Sequence, residues 1–192
     1  MSELCQFPKD QKWRLLYRAT RDGFGAKDFH QKCDNFKNTL VIIKSTSGNI
    51  FGGFTSKPWN SISTVDSQNN HVSDPSSYIF SLVNQNEKPF KASAQSFYSG
   101  IFCDTSKGPA FGEMTSNRIQ QFDLSILSDS NVRGKPDSFS NFGNGYIIFQ
   151  DYIAGTDKAK TILEGTHKFV NVEIEVYHGE NEVTDLFDTS TM

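Results

Sequence analysis

The chain has 192 residues, and its 19 Lys plus Arg against 22 Asp plus Glu give a formal charge of −3. That length holds one full domain, and no run of five like charges provides the clustered Lys or Arg that a nucleic-acid face needs. Hydrophobic residues make up 36%, which excludes wholesale disorder, while 17 Phe, 6 Tyr and 2 Trp against seven Ala suit pleated sheets better than a helical bundle.

Residues 1–8 carry neither the basic nor the apolar stretch of a secretory signal, which predicts a cytoplasmic protein. The longest apolar runs, Leu40–Ile43 and Tyr146–Phe149, hold four residues each, against about 20 for a membrane-spanning helix. Cys5, Cys33 and Cys103 match neither a disulfide framework nor a metal-ligand spacing, and no Asn-X-Ser/Thr glycosylation acceptor occurs. No cofactor or metal is expected.

In chain order, residues 13–19 alternate, with Trp13, Leu15 and Tyr17 on one face and Arg14, Leu16 and Arg18 on the other, predicting a half-buried strand. After the turn pair Asp22-Gly23, Ala26 to Cys33 places Phe29 and Cys33 on one face of a short amphipathic helix. Thr39 to Ser45 and Asn49 to Phe54 read as a hairpin around Thr46-Ser47-Gly48, and the consecutive apolar residues Leu40 to Ile43 require cover on both faces. Lys57 to Pro75 reads as a long surface loop, and Tyr78 to Val83 resumes the strand pattern. Further strands are predicted at Gly100 to Cys103 and Phe122 to Leu127, a loop at Ser128 to Asn144, and a last strand in which Val172, Ile174 and Val176 alternate with Glu173, Glu175 and Tyr177. The fold class that follows is mainly β, a two-sheet antiparallel β-sandwich with short flanking helices.

The order of motifs carries a resemblance. Trp13 to Phe24, Phe29 to Asp34, Thr39 to Lys44 and Ile50-Phe51-Gly52-Gly53-Phe54 resemble the opening of the TLDc domain. The likeness continues through Tyr78 to Leu82, Gly108-Pro109-Ala110-Phe111-Gly112, Phe122-Asp123-Leu124 and Glu173 to Tyr177. It spans about residues 11–179, leaving residues 1–10 as an N-terminal tail and 180–192 as an acidic C-terminal tail. Leu163-Glu164-Gly165 stands where the family often has Leu-Ala-Gly, and Met114 to Gln121 lacks the family's glycines. The resemblance implies a stand-alone, non-catalytic TLDc domain that binds the cytosolic sector of the vacuolar-type proton ATPase, modulates its assembly or activity, and is linked to oxidative-stress resistance.

Candidate binding residues are Asp22, Gly23, Gly52, Gly53 and Gly112. Each glycine also has a backbone reading, as a turn of positive φ or a bulge beside a large ring. A thiol-based redox or hydrolytic alternative uses Cys33 with His30, three residues apart on the helix, against the simpler reading of Cys33 as buried and His30 as the surface partner of Asp34. Asp129 to Gly134 imitates the start of a calcium loop but lacks enough oxygen ligands. Glu173 and Glu175 are expected to be solvated or paired across strands with Arg14 and Arg18. A third reading makes the chain a structural subunit of a larger assembly, held through Phe7, Trp59 or Phe187.

Overall fold

The aromatic and β-branched runs of the chain pair into two antiparallel sheets in a computed structural model that describes residues 2–5, 7–62, 70–132, 138–148 and 153–180. Helix α1 (Ser2–Cys5) precedes β1 (Lys12–Arg18), and α2 (Ala19–Asp22) and α3 (Ala26–Cys33) lead into β2 (Thr39–Ser45) and β3 (Ile50–Thr55). There follow β4 (His71–Ser73), β5 (Tyr78–Val83), β6 (Phe90–Ala94), β7 (Ser99–Phe102), β8 (Lys107–Met114) and β9 (Gln120–Leu127). The chain closes with β10 (Ser138–Ser140), β11 (Tyr146–Ile147), α4 (Asp157–Thr161), β12 (Lys168–Phe169) and β13 (Asn171–Glu180). The first sheet runs β1-β13-β2-β3-β5-β6-β11 and the second β12-β10-β9-β8-β7-β4, so the last strand lies between the first and the second.

The expected architecture is therefore present, with four local corrections. Strand β1 does not alternate throughout: a register shift between Leu15 and Tyr17 inserts a residue, so Leu16 and Tyr17 are both buried between the sheets while Trp13 packs on the opposite face. A second shift, between Asn171 and Glu173 in β13, turns Val172 out to 41% exposure. The predicted loops at 57–75 and 128–144 also contain strands, β4 and β10, which are three residues each and too short to show a period. Trp59, proposed as surface, is fully buried, with its indole N–H donating to Thr39 Oγ1 at 2.9 Å and its ring edge-on to Phe29 and Phe111.

Adjacent glycines on β3 set the spacing of the layers. A Cβ on Gly53 would lie 2.6 Å from the ring of Phe111 on β8, so this glycine lets the second sheet close onto the first. Successive strand residues face opposite ways, and Gly52 presents the outer face, where the Phe80 ring from β5 lies across it; a Cβ there would sit 3.1 Å from Phe80 and 1.9 Å from the Val41 carbonyl oxygen. The two glycines thus receive one phenylalanine from each side.

Polar pins join the layers. Asp123 on β9 is fully buried, and its two carboxyl oxygens accept the backbone N–H groups of Asn144 at 3.1 Å and Gly145 at 2.7 Å. These bonds favour the ionised form, but burial outweighs them and pushes the carboxyl up to about 7. The segment so held carries the chain from β10 in the second sheet to β11 in the first. There the Tyr146 hydroxyl bonds the Gly100 carbonyl at 2.9 Å and the Ser77 hydroxyl at 2.6 Å.

Candidate functional site

A cleft of about 660 Å³ opens between α3 and the segments after Trp59 and Cys103, and is lined by Lys27, His30, Gln31, Asp34, Ser61 and Thr105. Its wall is built by local rules. Asp28 at the third position of α3 accepts the Gly25 N–H at 3.0 Å, and Ser128 from the other sheet accepts the Ala26 N–H at 3.1 Å, satisfying groups that the first helical turn leaves unpaired. Phe29 and Cys33, four apart, bury the inner face as expected. Beyond the helix, Asn35 N–H donates to the Trp59 carbonyl at 2.9 Å, and Asp34 and Trp59 form a parallel bridge that anchors the opposite wall.

At the base of the cleft His30 is only 5% exposed. Its Nδ1 lies 2.7 Å from Asp34 Oδ1, and its Nε2 lies 2.9 Å from the Asp104 carbonyl and 3.1 Å from that of Lys107. The expected partnership with Asp34 exists, but it is buried and ties α3 to the turn between β7 and β8. The Ser61 hydroxyl donates to the other carboxyl oxygen of Asp34, on the side away from the imidazole. A nucleophile and base must share a hydrogen bond; here the hydroxyl and the ring each bond to the carboxylate, and the remaining ring nitrogen is engaged by backbone.

Cys33 does not supply the missing nucleophile. It has no exposed surface, and burial, followed by the charges of Asp34 and Asp22, pushes its thiol well above the ordinary value. The redox or hydrolytic reading of Cys33 with His30 is thereby corrected: helical spacing brings the two near each other, yet the core claims one and the backbone the other. Cys103 is likewise buried, with its thiol also pushed up by burial.

The five candidate binding residues fall into two groups. Asp22 and Gly23 sit together at the corner between α2 and α3. There Asp22 accepts the Arg18 N–H at 3.0 Å and Arg21 Nη2 at 2.7 Å, and the Arg21 hydrogen bond leads the effects that hold its carboxyl down at about 2. Gly23 has φ of 110°, and a Cβ there would strike the Asp28 carboxylate at 2.2 Å; its carbonyl accepts the Tyr17 hydroxyl at 2.6 Å. Gly52, Gly53 and Gly112 lie within strands, the last 2.1 Å from the Gln121 carbonyl oxygen when a Cβ is added. They shape backbone layers and expose no side chain.

Charge pairing on β13 follows part of the expectation. Glu175 bonds Arg18 across the strands at 2.7 Å, whereas Arg14 takes Glu180 at 3.1 Å and Glu173 accepts the backbone N–H and hydroxyl of Thr20. Of the aromatics proposed for assembly, Phe7 packs on the first sheet and Phe187 lies outside the described residues, as do Arg133 and Gly134 of the calcium-like loop. Among the described residues, the aromatics that project are Phe97 and Tyr98, 75% and 54% exposed in the turn before β7; no local pattern marked them, because turn residues have no buried face to set a period.

With this geometry in place, the family assignment rests on sequence comparison. A family model described as the TLDc domain matches residues 1–180. The chain belongs to the TLDc domain family. No curated protein matches the chain in the corresponding search. The match runs from α1 through β13, so the segment ahead of β1 and the closing strand both fall within the TLDc region. Membership supports a protein-interaction role. No helix among the described residues is long and apolar enough to cross a membrane.

Proposed function

We propose that this TLDc domain is a non-catalytic, cytoplasmic docking module that binds the cytosolic sector of the vacuolar-type proton ATPase and modulates its assembly or activity, contributing to resistance against oxidative stress. The match to the TLDc model over residues 1–180 carries this reading. It is supported by the cleft beside α3, whose histidine and serine each bond the Asp34 carboxylate, with the second ring nitrogen held by backbone, rather than forming a nucleophile–base pair. The Asp22–Gly23 corner is the part of the candidate binding set that reaches the surface, and Gly52, Gly53 and Gly112 contribute through the layer shapes they permit.

The test is capture of source lysate on the tagged full chain at low salt, followed by proton-pumping assays of the isolated ATPase with and without the purified chain. Retention of peripheral-stalk and catalytic-sector subunits together with a changed pumping rate is the expected result. Absence of those subunits, with pumping unchanged, overturns the proposal.

A further inference from the structure

Glu164, the residue at which the Leu163-Glu164-Gly165 triplet departs from Leu-Ala-Gly, is only 3% exposed. Gly165 closes the turn after α4, with φ of 82° and its N–H donating to the Thr161 carbonyl at 2.6 Å, and this turn sets Glu164 against the β2–β3 hairpin. There Asn49 Nδ2 donates to Glu164 Oε2 at 2.9 Å, while Gln85 Nε2 donates to the Glu164 carbonyl at 3.3 Å. Among the described residues the other carboxyl oxygen, Oε1, receives no hydrogen bond, and no lysine or arginine pairs with Glu164. A carboxylate this buried is costly unless both of its oxygens are served.

Glu164 borders a pocket of about 330 Å³, whose other lining residues are Thr46, Ser47, Thr166, Lys168, Phe169 and Val170. The walls are fixed to each other, because the Thr46 N–H donates to the Val170 carbonyl at 3.0 Å. The Thr166 hydroxyl gives its proton to the Lys168 carbonyl at 2.7 Å, so toward the pocket it offers only lone pairs. Ser47 adds an exposed hydroxyl from the hairpin turn, and Phe169, seated edge-on against Phe51 at 5.1 Å, makes a rigid apolar wall with Val170. The lining thus joins one carboxylate oxygen and several hydroxyl acceptors to an apolar strip.

We infer that this pocket binds a primary alkylammonium, supplied by the lysine side chain of a partner or by a free amine. An ammonium has three donors and no acceptor, which matches Glu164 Oε1, Thr166 Oγ1 and the Ser47 hydroxyl, with the alkyl stem along Phe169 and Val170. A guanidinium fits less well, because it prefers both oxygens of a carboxylate and Asn49 already holds one. A divalent metal needs more oxygen ligands and charge than a single carboxylate provides. Lys168 is a like charge at the same pocket, so it weakens the site without filling it. The inference goes beyond the docking-module reading and is tested without the ATPase.

The test titrates the full chain with n-butylammonium, which reproduces the end of a lysine side chain, and follows backbone amides by NMR. Saturable shifts are expected at residues 46–48 and 166–170, and n-butanol, with the same stem and no charge, should produce none. Glu164→Gln should weaken binding about tenfold or more through loss of the charge-assisted bond, and Ser47→Ala about threefold. Lys168→Gln should tighten it. If Glu164→Gln disturbs the amide pattern of the whole chain, Ser47→Ala and Lys168→Gln, both at exposed positions, carry the test by moving affinity in opposite directions. An acetyl-Gly-Lys-Gly-amide peptide that binds as tightly as butylammonium supports a partner's lysine as the source, and butylammonium binding without peptide binding supports a free amine. Absence of saturable shifts, an equal response to butanol, or unchanged affinity in the variants overturns the inference.

Discussion

The two faces of strand β3 use one device and reach different results. Inward, Gly53 admits Phe111, and a whole second sheet seals the contact; outward, Gly52 admits Phe80, and a short strap ahead of β1, carrying Leu4, Cys5 and Phe7, seals it. Apolar burial gains are comparable per unit area, so the difference lies in what must move to expose each face. Opening the inner face separates two sheets pinned by Asp123 and Tyr146. Opening the outer face detaches one helical turn and one phenylalanine. The inner layer is therefore closed by many distant contacts and the outer one by a short local segment.

Thiol labelling separates the two layers most widely. Cys5 lies in the covering segment, packed against the outer face, and Cys33 and Cys103 lie in the core; burial raises all three thiols. Local opening costs less than global unfolding, so Cys5 should label about a hundredfold faster or more in native buffer, with Cys33 and Cys103 reacting only after denaturation. Mass spectrometry of alkylated peptides checks this, and comparable rates for all three would dissolve the distinction between layers.

Next in size is the inner contact itself. Phe111→Ala removes a fully buried ring from the layer against Gly53 and Trp59 and should cost about 3–5 kcal/mol in urea unfolding, through lost burial and the cavity left behind. A cost near 1 kcal/mol would mean the sheets collapse readily onto one another, against the layered account given by the glycines.

The pin between the sheets adds a pH signature. Asp123 has its folded carboxyl raised to about 7, above the unfolded value near 4, so the folded state holds the proton more tightly. Its favourable contribution is complete below about pH 4 and is lost as pH rises through about 7. Asp123→Asn should remove that decline from the stability profile. It should also destabilise the protein by about 1.5–3 kcal/mol, because an amide N–H₂ then faces one of the two backbone N–H donors. Parallel pH profiles for variant and wild type would contradict this assignment.

The smallest effect belongs to the surface pair on the first sheet. Arg18→Ala breaks the bond to Glu175, but Arg18 keeps 43% of its side chain exposed, so the loss should be small and shrink with salt. A larger, salt-independent loss would place this edge of the sheet in the core rather than at the rim.

Much of this contrast was legible in the chain. The consecutive apolar residues Leu40 to Ile43 required cover on both faces, and both covers exist: the second sheet over Val41 and Ile43, and the strap over Leu40 and Ile42. What remained hidden was the identity of the outer cover, because Leu4, Cys5 and Phe7 show no period of their own and take their role from the face beneath them. The cleft was half legible. The spacing of His30 and Asp34 predicted their bond, but the carbonyls of Asp104 and Lys107 lie more than 70 residues away, and no local pattern reports a backbone acceptor at that distance.

Composition and periodicity determined the sheet-rich class, the short helix at 26–33 and most of the longer strands, because those depend on neighbours within one turn or one pleat. Tertiary structure alone decided the bulges that turn Tyr17 inward and Val172 outward, the burial of Trp59, and the two- and three-residue strands at the sheet margins. It also decided the place of β13 between β1 and β2, pairings that join residues well over 100 positions apart in the chain. These features are settled by contacts between distant segments, whose free energy appears only once both partners are in position.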